Sequence, residues 1–135
     1  MSINDVGRAE KEIAMDFAEQ SGVALYLQVA DQLEELIISG SVSEGERVPS
    51  TTEISTTYRI NPATVLKGMG LLVSRGYLEK RRGMGMFVTP GARGRLVESR
   101  RREFLDKAVP DLVAQAHDLG ITTDGLIQAI KGASS

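Results

Sequence analysis

The sequence predicts a mainly α-helical chain with one small antiparallel β-hairpin, an α+β architecture ending in a short helical tail. Three observations predict it. Residues 25–39 carry an apolar stripe at helical spacing. Two further helix starts follow closely, one at Ser50-Thr51-Thr52-Glu53 and one at Asn61-Pro62. Two short apolar runs then flank the glycine-containing segment Lys80-Arg81-Arg82-Gly83-Met84-Gly85, the composition of a hairpin.

At 135 residues the chain has room for one domain and a small appendage. Residues 1–20 are polar and mixed in charge; Ala9 to Phe17 has some helical character, but a flexible arm is expected over 1–20. Tyr26, Val29, Ala30, Leu33, Leu36 and Ile37 form the stripe of the first helix, with Gly40 as its C′ residue. The second helix, about 51–57, opens on a capping box in which Ser50 and Glu53 satisfy each other's backbone donors. The turn Tyr58-Arg59-Ile60 leads to Asn61 as N-cap and Pro62 as first helical residue. This third helix runs to about Ser74, with Val65, Met69 and Leu72 facing inward. Gly68 and Gly70 each cost it roughly 1 kcal/mol relative to Ala, so close approach to a neighbouring helix is expected at both.

Tyr77-Leu78-Glu79 and Met86-Phe87-Val88 are the predicted strands, with Leu78 and Phe87 packing inward. Two helices, a tight turn and a hairpin make a winged helix-turn-helix, expected over residues 21–90. Residues 89–94 form a Pro/Gly linker into a helical tail over 91–135. There Leu96, Phe104, Leu105, Val109, Leu112, Ala116 and Leu119 make a long apolar stripe, those from 104 to 119 being the expected dimer contacts, and the steps from 105 to 119 alternate four and three. Pro110 is expected to kink or restart this helix and Gly120 to end it; Thr122 or Thr123 caps a last short helix carrying Leu126, Ile127 and Ile130. Such stripes cannot bury themselves alone, so the tail is expected to fold onto the winged domain or to pair with a second chain as a homodimer.

Charge is divided along the chain. Residues 1–58 hold three basic and eleven acidic side chains, a balance of −8; residues 59–102 hold eleven and two, a balance of +9; residues 103–135 hold two and five, a balance of −3. The basic block coincides with the third helix, the hairpin and the segment after it, which points to a polyanion partner. On the third helix, Ala63, Thr64, Leu66 and Lys67 lie opposite the apolar face, in the first two turns that reach base edges in a major groove. Thr64 can bond a base or a phosphate, and Lys67 a phosphate or a guanine. Ala63 and Leu66 can make apolar contacts. Arg81, Arg82 and Gly83 give the hairpin tip charge and close backbone approach.

Other chemistries are excluded or unsupported. The chain has no cysteine, hence no disulfide, thiolate metal site or thiol nucleophile. Its one histidine, His117, sits on the tail, and no Ser–His–Asp arrangement, phosphate loop or dinucleotide fingerprint accompanies it, so no catalytic residue, metal or cofactor is expected. Arg100-Arg101-Arg102 is read as an exposed helix face. No apolar run reaches the roughly 18 residues of a membrane helix and no export signal is visible, so a cytoplasmic location is expected.

The run from Leu25-Tyr26-Leu27-Gln28-Val29-Ala30-Asp31-Gln32 through Pro49-Ser50 and Asn61-Pro62-Ala63-Thr64-Val65 to Gly83-x-Gly85-x-Phe87-Val88 resembles the GntR family of bacterial transcription regulators. The likeness covers about residues 23–89. The Asn-Pro-x-Thr-Val helix start and the short tail resemble its YtrA subfamily. What the resemblance implies is a two-helix dimerisation tail in place of a large effector domain, in proteins often encoded beside ABC transporters. It also implies a DNA-contact set of Ser50, Thr52, Thr64, Lys67, Arg82 and Gly83. Thr52 stands where the family often has Arg, and Leu66 where it often has a small polar residue.

The expected function is therefore that of a sequence-specific regulator, a repressor more readily than an activator, binding an inverted-repeat operator in double-stranded DNA as a homodimer. Two rivals are a nonspecific architectural DNA protein and a winged helix used for protein assembly. A small-molecule effector between tail and winged domain is left open; no pocket for one can be read from the residues.

Overall fold

The computed structural model describes residues 13–18 and 22–134. Its elements are α1 (Leu25–Ile38), α2 (Thr51–Tyr58), α3 (Pro62–Ser74), β1 (Leu78–Arg81), β2 (Gly85–Val88), α4 (Ala92–Glu103), a π-helical turn (Phe104–Ala108), α5 (Val109–Asp118) and α6 (Thr123–Ser134). The chain divides into two compact units, one reaching Leu96 and the other starting at Val97, so the division falls within α4.

In the first unit α1 buries Val29, Ala30, Leu33, Leu36 and Ile37, as its stripe predicts, and Gly40 follows in the left-handed conformation at φ 81°. The core is completed by Val42, Val48, Ile54, Ile60, Val65, Met69, Leu72, Leu78 and Val88. Gly68 explains the tight crossing of α3 on α1: a Cβ there would lie 2.7 Å from Val29 Cγ1 and 2.8 Å from the Tyr26 carbonyl. The same expectation fails at Gly70, which faces open space and only lowers the helix's propensity.

The hairpin is antiparallel, with Leu78 opposite Val88, Glu79 opposite Phe87, Lys80 opposite Met86 and Arg81 opposite Gly85. Residues facing each other across strands share one sheet face. Leu78 and Val88 therefore enter the core together, and Phe87 lies with Glu79 on the outer face, contrary to the inward packing expected of it. Strand runs of three residues do not fix a register by alternation alone, and pairing decided this one. The loop before α2 adds a third edge. Val48 N–H donates to the Met86 carbonyl (3.0 Å), Val88 N–H to Glu46 (2.9 Å) and Gly45 N–H to Val88 (2.8 Å), with Arg47 opposite Phe87.

Two further expectations are corrected. Residues 13–17 are not helical, and the rest of the segment expected to show helical character lies outside the described residues. Met15 is buried, its N–H donating to the Tyr58 hydroxyl (2.9 Å), and Phe17 packs edge-on against Tyr58 with ring centroids 5.2 Å apart. The expected linker over 89–94 is shorter than its composition suggested: α4 starts at Ala92, and Ala92 and Leu96 belong to the core of the first unit.

In the second unit the apolar run is not one uninterrupted α-helix. Pro110 has no N–H, and the chain enters α5 through the π turn, Val109 N–H reaching the Phe104 carbonyl. Helix α5 ends in a Schellman motif: Gly120 (φ 76°) donates to His117 (3.0 Å) and Ile121 to Ala116 (2.8 Å). Thr122 caps α6, its hydroxyl accepting the Gly125 N–H at 3.0 Å.

Candidate nucleic-acid interface

The α2–turn–α3 unit is fixed by local bonds at each corner. The capping box is complete: Glu53 N–H donates to Ser50 Oγ (3.0 Å) and Ser50 N–H to Glu53 Oε1 (2.8 Å). Helix α2 closes at Arg59, held at φ 55°, a left-handed conformation unusual outside glycine. Ser55 Oγ donates to the Ile60 carbonyl (2.7 Å), and Ile60 is buried, so the chain turns sharply into α3. Asn61 Oδ1 accepts the Ala63 N–H at 2.8 Å, and Pro62 begins the helix. Asn61 is exposed, yet its carbonyl oxygen serves as helix cap.

Helix α3 buries Val65, Gly68, Met69 and Leu72. Ala63, Leu66 and Lys67 are exposed on the other side, Leu66 by 53%, while Thr64 is half-buried. Leu66 gives this face an apolar side chain beside the ammonium of Lys67, so it can offer both apolar and charged contacts. Lys67 Nζ stands 4.0 Å from the centroid of the Tyr26 ring, which steers the ammonium along α1. At the far end of α3, Arg75 donates to Glu34 at 2.8 Å, and Glu34 is only 5% exposed. Tyr26, Glu34 and Arg75 thus position the exposed face of α3, and pattern reading missed this role for all three.

On α2, Ser50 is half-buried and Thr52 exposed. On the wing, Arg82, Gly83 and Met84 form the tip, with Gly83 at φ 74° and Met84 N–H donating to Arg81 (2.9 Å). Arg81 is not at the tip. It donates twice to Glu79 Oε2 (3.1 and 3.0 Å) and stacks 4.1 Å over the centroid of the Phe87 ring. Arg82 and Lys80 are exposed and make no such contact among the described residues.

The +9 segment is not all binding surface. Arg75 pairs with Glu34, Arg93 Nε donates to the Ile38 carbonyl (2.9 Å), and Arg95 donates to the Pro90 (3.0 Å) and Gly76 (2.8 Å) carbonyls. A cavity of about 460 Å³ also opens in the first unit beside α2 and the wing, with Met15, Arg47, Tyr58 and Phe87 in its walls.

Of the expected dimerisation residues, Phe104, Leu105, Val109, Leu112 and Leu119 are exposed in the single chain, Leu119 by 77%. Ala116 is not; it is buried within its own unit. Ile121, Ile127 and Ile130 add to the exposed apolar surface. Among the described residues no helix is long and apolar enough to cross a membrane, and no three His, Cys, Asp or Glu side chains cluster to hold a metal.

A helix-turn-helix braced on α1, with an exposed third helix beside a basic hairpin, defines a winged-helix DNA-binding transcription regulator. A family model described as "Bacterial regulatory proteins, gntR family" matches residues 25–88. The chain is similar to the HTH-type transcriptional repressor YtrA of Bacillus subtilis (strain 168), at 30% identity over 116 residues, 86% of this chain and 88% of that one. It is also similar to the uncharacterized HTH-type transcriptional regulator YhcF of the same organism, at 28% identity over 117 residues, 87% of this chain and 95% of that one. Its fold matches the crystal structure of a transcriptional regulator from Oenococcus oeni with a TM-score of 0.75 at 21% identity, covering 90% of this chain and 98% of the other. The chain belongs to the GntR family of bacterial regulatory proteins, and its near full-length likeness to YtrA agrees with the subfamily read from the sequence.

Proposed function

We propose that this regulator is a cytoplasmic repressor that binds an inverted-repeat operator as a homodimer. The single observation that carries the reading is the face of α3 formed by Ala63, Leu66 and Lys67, exposed beside a wing whose tip carries Arg82 and Gly83. Helix α3 enters the major groove; Thr64 and Lys67 bond to bases or phosphates, and Leu66 meets an apolar base edge such as a thymine methyl. Ser50, Thr52 and the capped start of α3 at Asn61 approach the backbone, and Arg82 and Gly83 reach the adjacent groove.

Dimerisation is supported by the large apolar side chains that the second unit leaves exposed, Phe104, Leu105, Leu112 and Leu119 among them. A twofold dimer presents two α3 helices to half-sites about one helical turn apart, which is why an inverted repeat follows. The test is titration of the purified protein against DNA from its own upstream region, with excess random competitor and at several salt concentrations. A discrete complex that survives competition is the expected result. Complete loss to competitor would replace the proposal with nonspecific binding, and no binding at low salt would remove the DNA reading.

A further inference from the structure

We infer that Arg47, in the loop before α2, is an additional phosphate anchor of the DNA interface, carried on the outer face of the wing. The inference rests on the proposed DNA reading and adds a residue outside the helix-turn-helix and the wing tip.

The loop Gly45–Val48 pairs with β2 as a third edge, and Arg47 stands opposite Phe87, which in turn stands opposite Glu79. Val48 is buried in the core, so strand alternation turns its neighbour Arg47 to the other face. The same parity puts Arg81 and Gly85 on that face. Its charged groups are therefore Arg47, Arg81 and Glu79. The one carboxylate accepts both Arg81 donors on a single oxygen, Oε2 of Glu79. Arg47 makes no hydrogen bond or ion pair among the described residues and is exposed; Glu46 and Glu53 line the same cavity but form no ion pair with it.

Its stem is also placed. Gly85 sits at φ 112°, and a Cβ on it would lie 3.0 Å from Arg47 Cδ and 3.4 Å from Cγ. The missing side chain leaves the track along which the Arg47 stem crosses β2. Three residues further on, Ser50 opens α2, whose first-turn N–H groups and Thr52 belong to the expected backbone-contacting surface. An exposed guanidinium whose stem lies over a strand suits a phosphate oxygen, which it can grip with two parallel N–H donors. Arg47 is not carried on α3, the helix proposed to read bases; the ligand is a backbone phosphate flanking the half-site.

The experiment uses the full chain and duplex DNA from its own upstream region as the operator probe, measuring affinity for that duplex and for random DNA across a salt series. Variants are Arg47→Gln, Arg47→Lys and, as a charge control in the second unit, Arg101→Gln. Arg47→Gln is expected to weaken operator and random DNA by similar factors and to lower the magnitude of the salt slope by about 1 per protomer. Arg47→Lys should keep the slope while losing part of the affinity, and Arg101→Gln should leave both unchanged. An unchanged slope for Arg47→Gln, with wild-type binding intact and an unchanged melting temperature, overturns this inference alone. Absence of wild-type binding overturns the DNA reading and this inference with it. Loss confined to the operator, with random DNA unaffected, would make Arg47 a base reader and also overturn the phosphate assignment.

Discussion

Replacing Gly68 and Gly70 separately by Ala tests the packing that places α3. Both lie on one helix, and in isolation each substitution favours the helix by about 1 kcal/mol. At Gly70 nothing lies within 4 Å of the new Cβ, so that gain is expected in full. At Gly68 the new carbon meets Val29 Cγ1 at 2.7 Å, Val29 Cβ at 2.8 Å and the Tyr26 carbonyl oxygen at 2.8 Å. Comfortable carbon contacts lie near 3.5–4.0 Å, so relief needs about 1 Å of separation between α1 and α3. Val29 is fully buried and the Tyr26 carbonyl is helical backbone, so neither can swing aside. Overpacking of this kind costs about 3 kcal/mol, the upper end of its usual range, against the gain of about 1, leaving a net loss near 2 kcal/mol. For a unit of this size that is a fall in Tm of about 10 °C for Gly68→Ala and a rise of about 5 °C for Gly70→Ala. Far-UV circular dichroism through thermal and urea unfolding reads both, the chain having no Trp to follow by fluorescence. Operator affinity should fall only for Gly68→Ala, because Lys67 and Leu66 move with α3. Shifts of the same sign in the two variants, or a neutral Gly68→Ala, would refute the packing account.

Ser50→Ala removes an N-cap whose partner Glu53 then loses its reciprocal role, and urea unfolding should show a loss of about 1 kcal/mol; no loss would mean that the box contributes nothing to α2. Arg75→Ala removes an ion-pair partner of the buried Glu34 carboxylate; because the guanidinium is itself partly exposed, the expected cost is about 2 kcal/mol, below that of a wholly buried pair, and a cost near zero would show that the carboxylate's other interactions suffice. Gly120→Ala forces an L side chain to φ 76° at the end of α5 and should cost about 1 kcal/mol, read as a lower melting temperature. Ending the chain after Glu103 keeps Ala92 and Leu96, which a cut at residue 94 would not, and removes most of the exposed apolar surface of the second unit. Sedimentation should then find a monomer with much weaker operator binding, and a persistent dimer would place the interface elsewhere.

Features set by near neighbours in the chain were legible in the sequence. The stripe of α1, the box at Ser50 and Glu53, the Asn61-Pro62 start and the stop at Gly120 each depend on residues within a turn or so, and each stands where its chemistry put it. Features set by distant partners were not. Two such short strands carry too few residues to fix the face on which Phe87 lies, and the pairing with Glu79 and Arg47 sets it outward. Glu34 and Arg75 are 41 residues apart, and nothing local marks either as half of a pair. Arg47 left no readable trace: Gly45-Glu46-Arg47-Val48 does not alternate polar and apolar, and only the pairing with β2 marks it as an edge. Gly68 and Gly70 look alike in sequence, and only the neighbouring helix tells them apart.

That division between local and distant determinants bears on how strongly the protein should depend on salt. Counting the basic block from the sequence gives eleven cations over residues 59–102, and if each released a condensed counterion from duplex DNA the slope of log K against log salt would be about −10 per protomer. Three of them, Arg75, Arg93 and Arg95, are bound to a buried carboxylate or to backbone carbonyls of their own unit. Three more, Arg100, Arg101 and Arg102, lie in the second unit, beyond the helix-turn-helix and wing. Arg59, Lys67, Lys80, Arg81 and Arg82 remain, and Arg47 joins them from outside the block. Six contacts bound the slope near −5 per protomer, and the Glu79 pairing of Arg81 pulls it lower still. A measured slope of about −7 would mean that Arg93 and Arg95 release their carbonyls to reach phosphate, and one approaching about −10 would require Arg100, Arg101 and Arg102 to contribute as well. A slope of about −5 or smaller in magnitude would instead show that Arg75, Arg93 and Arg95 stay bound within the winged domain and that Arg100, Arg101 and Arg102 release no counterion, leaving specificity to the few side chains on α3.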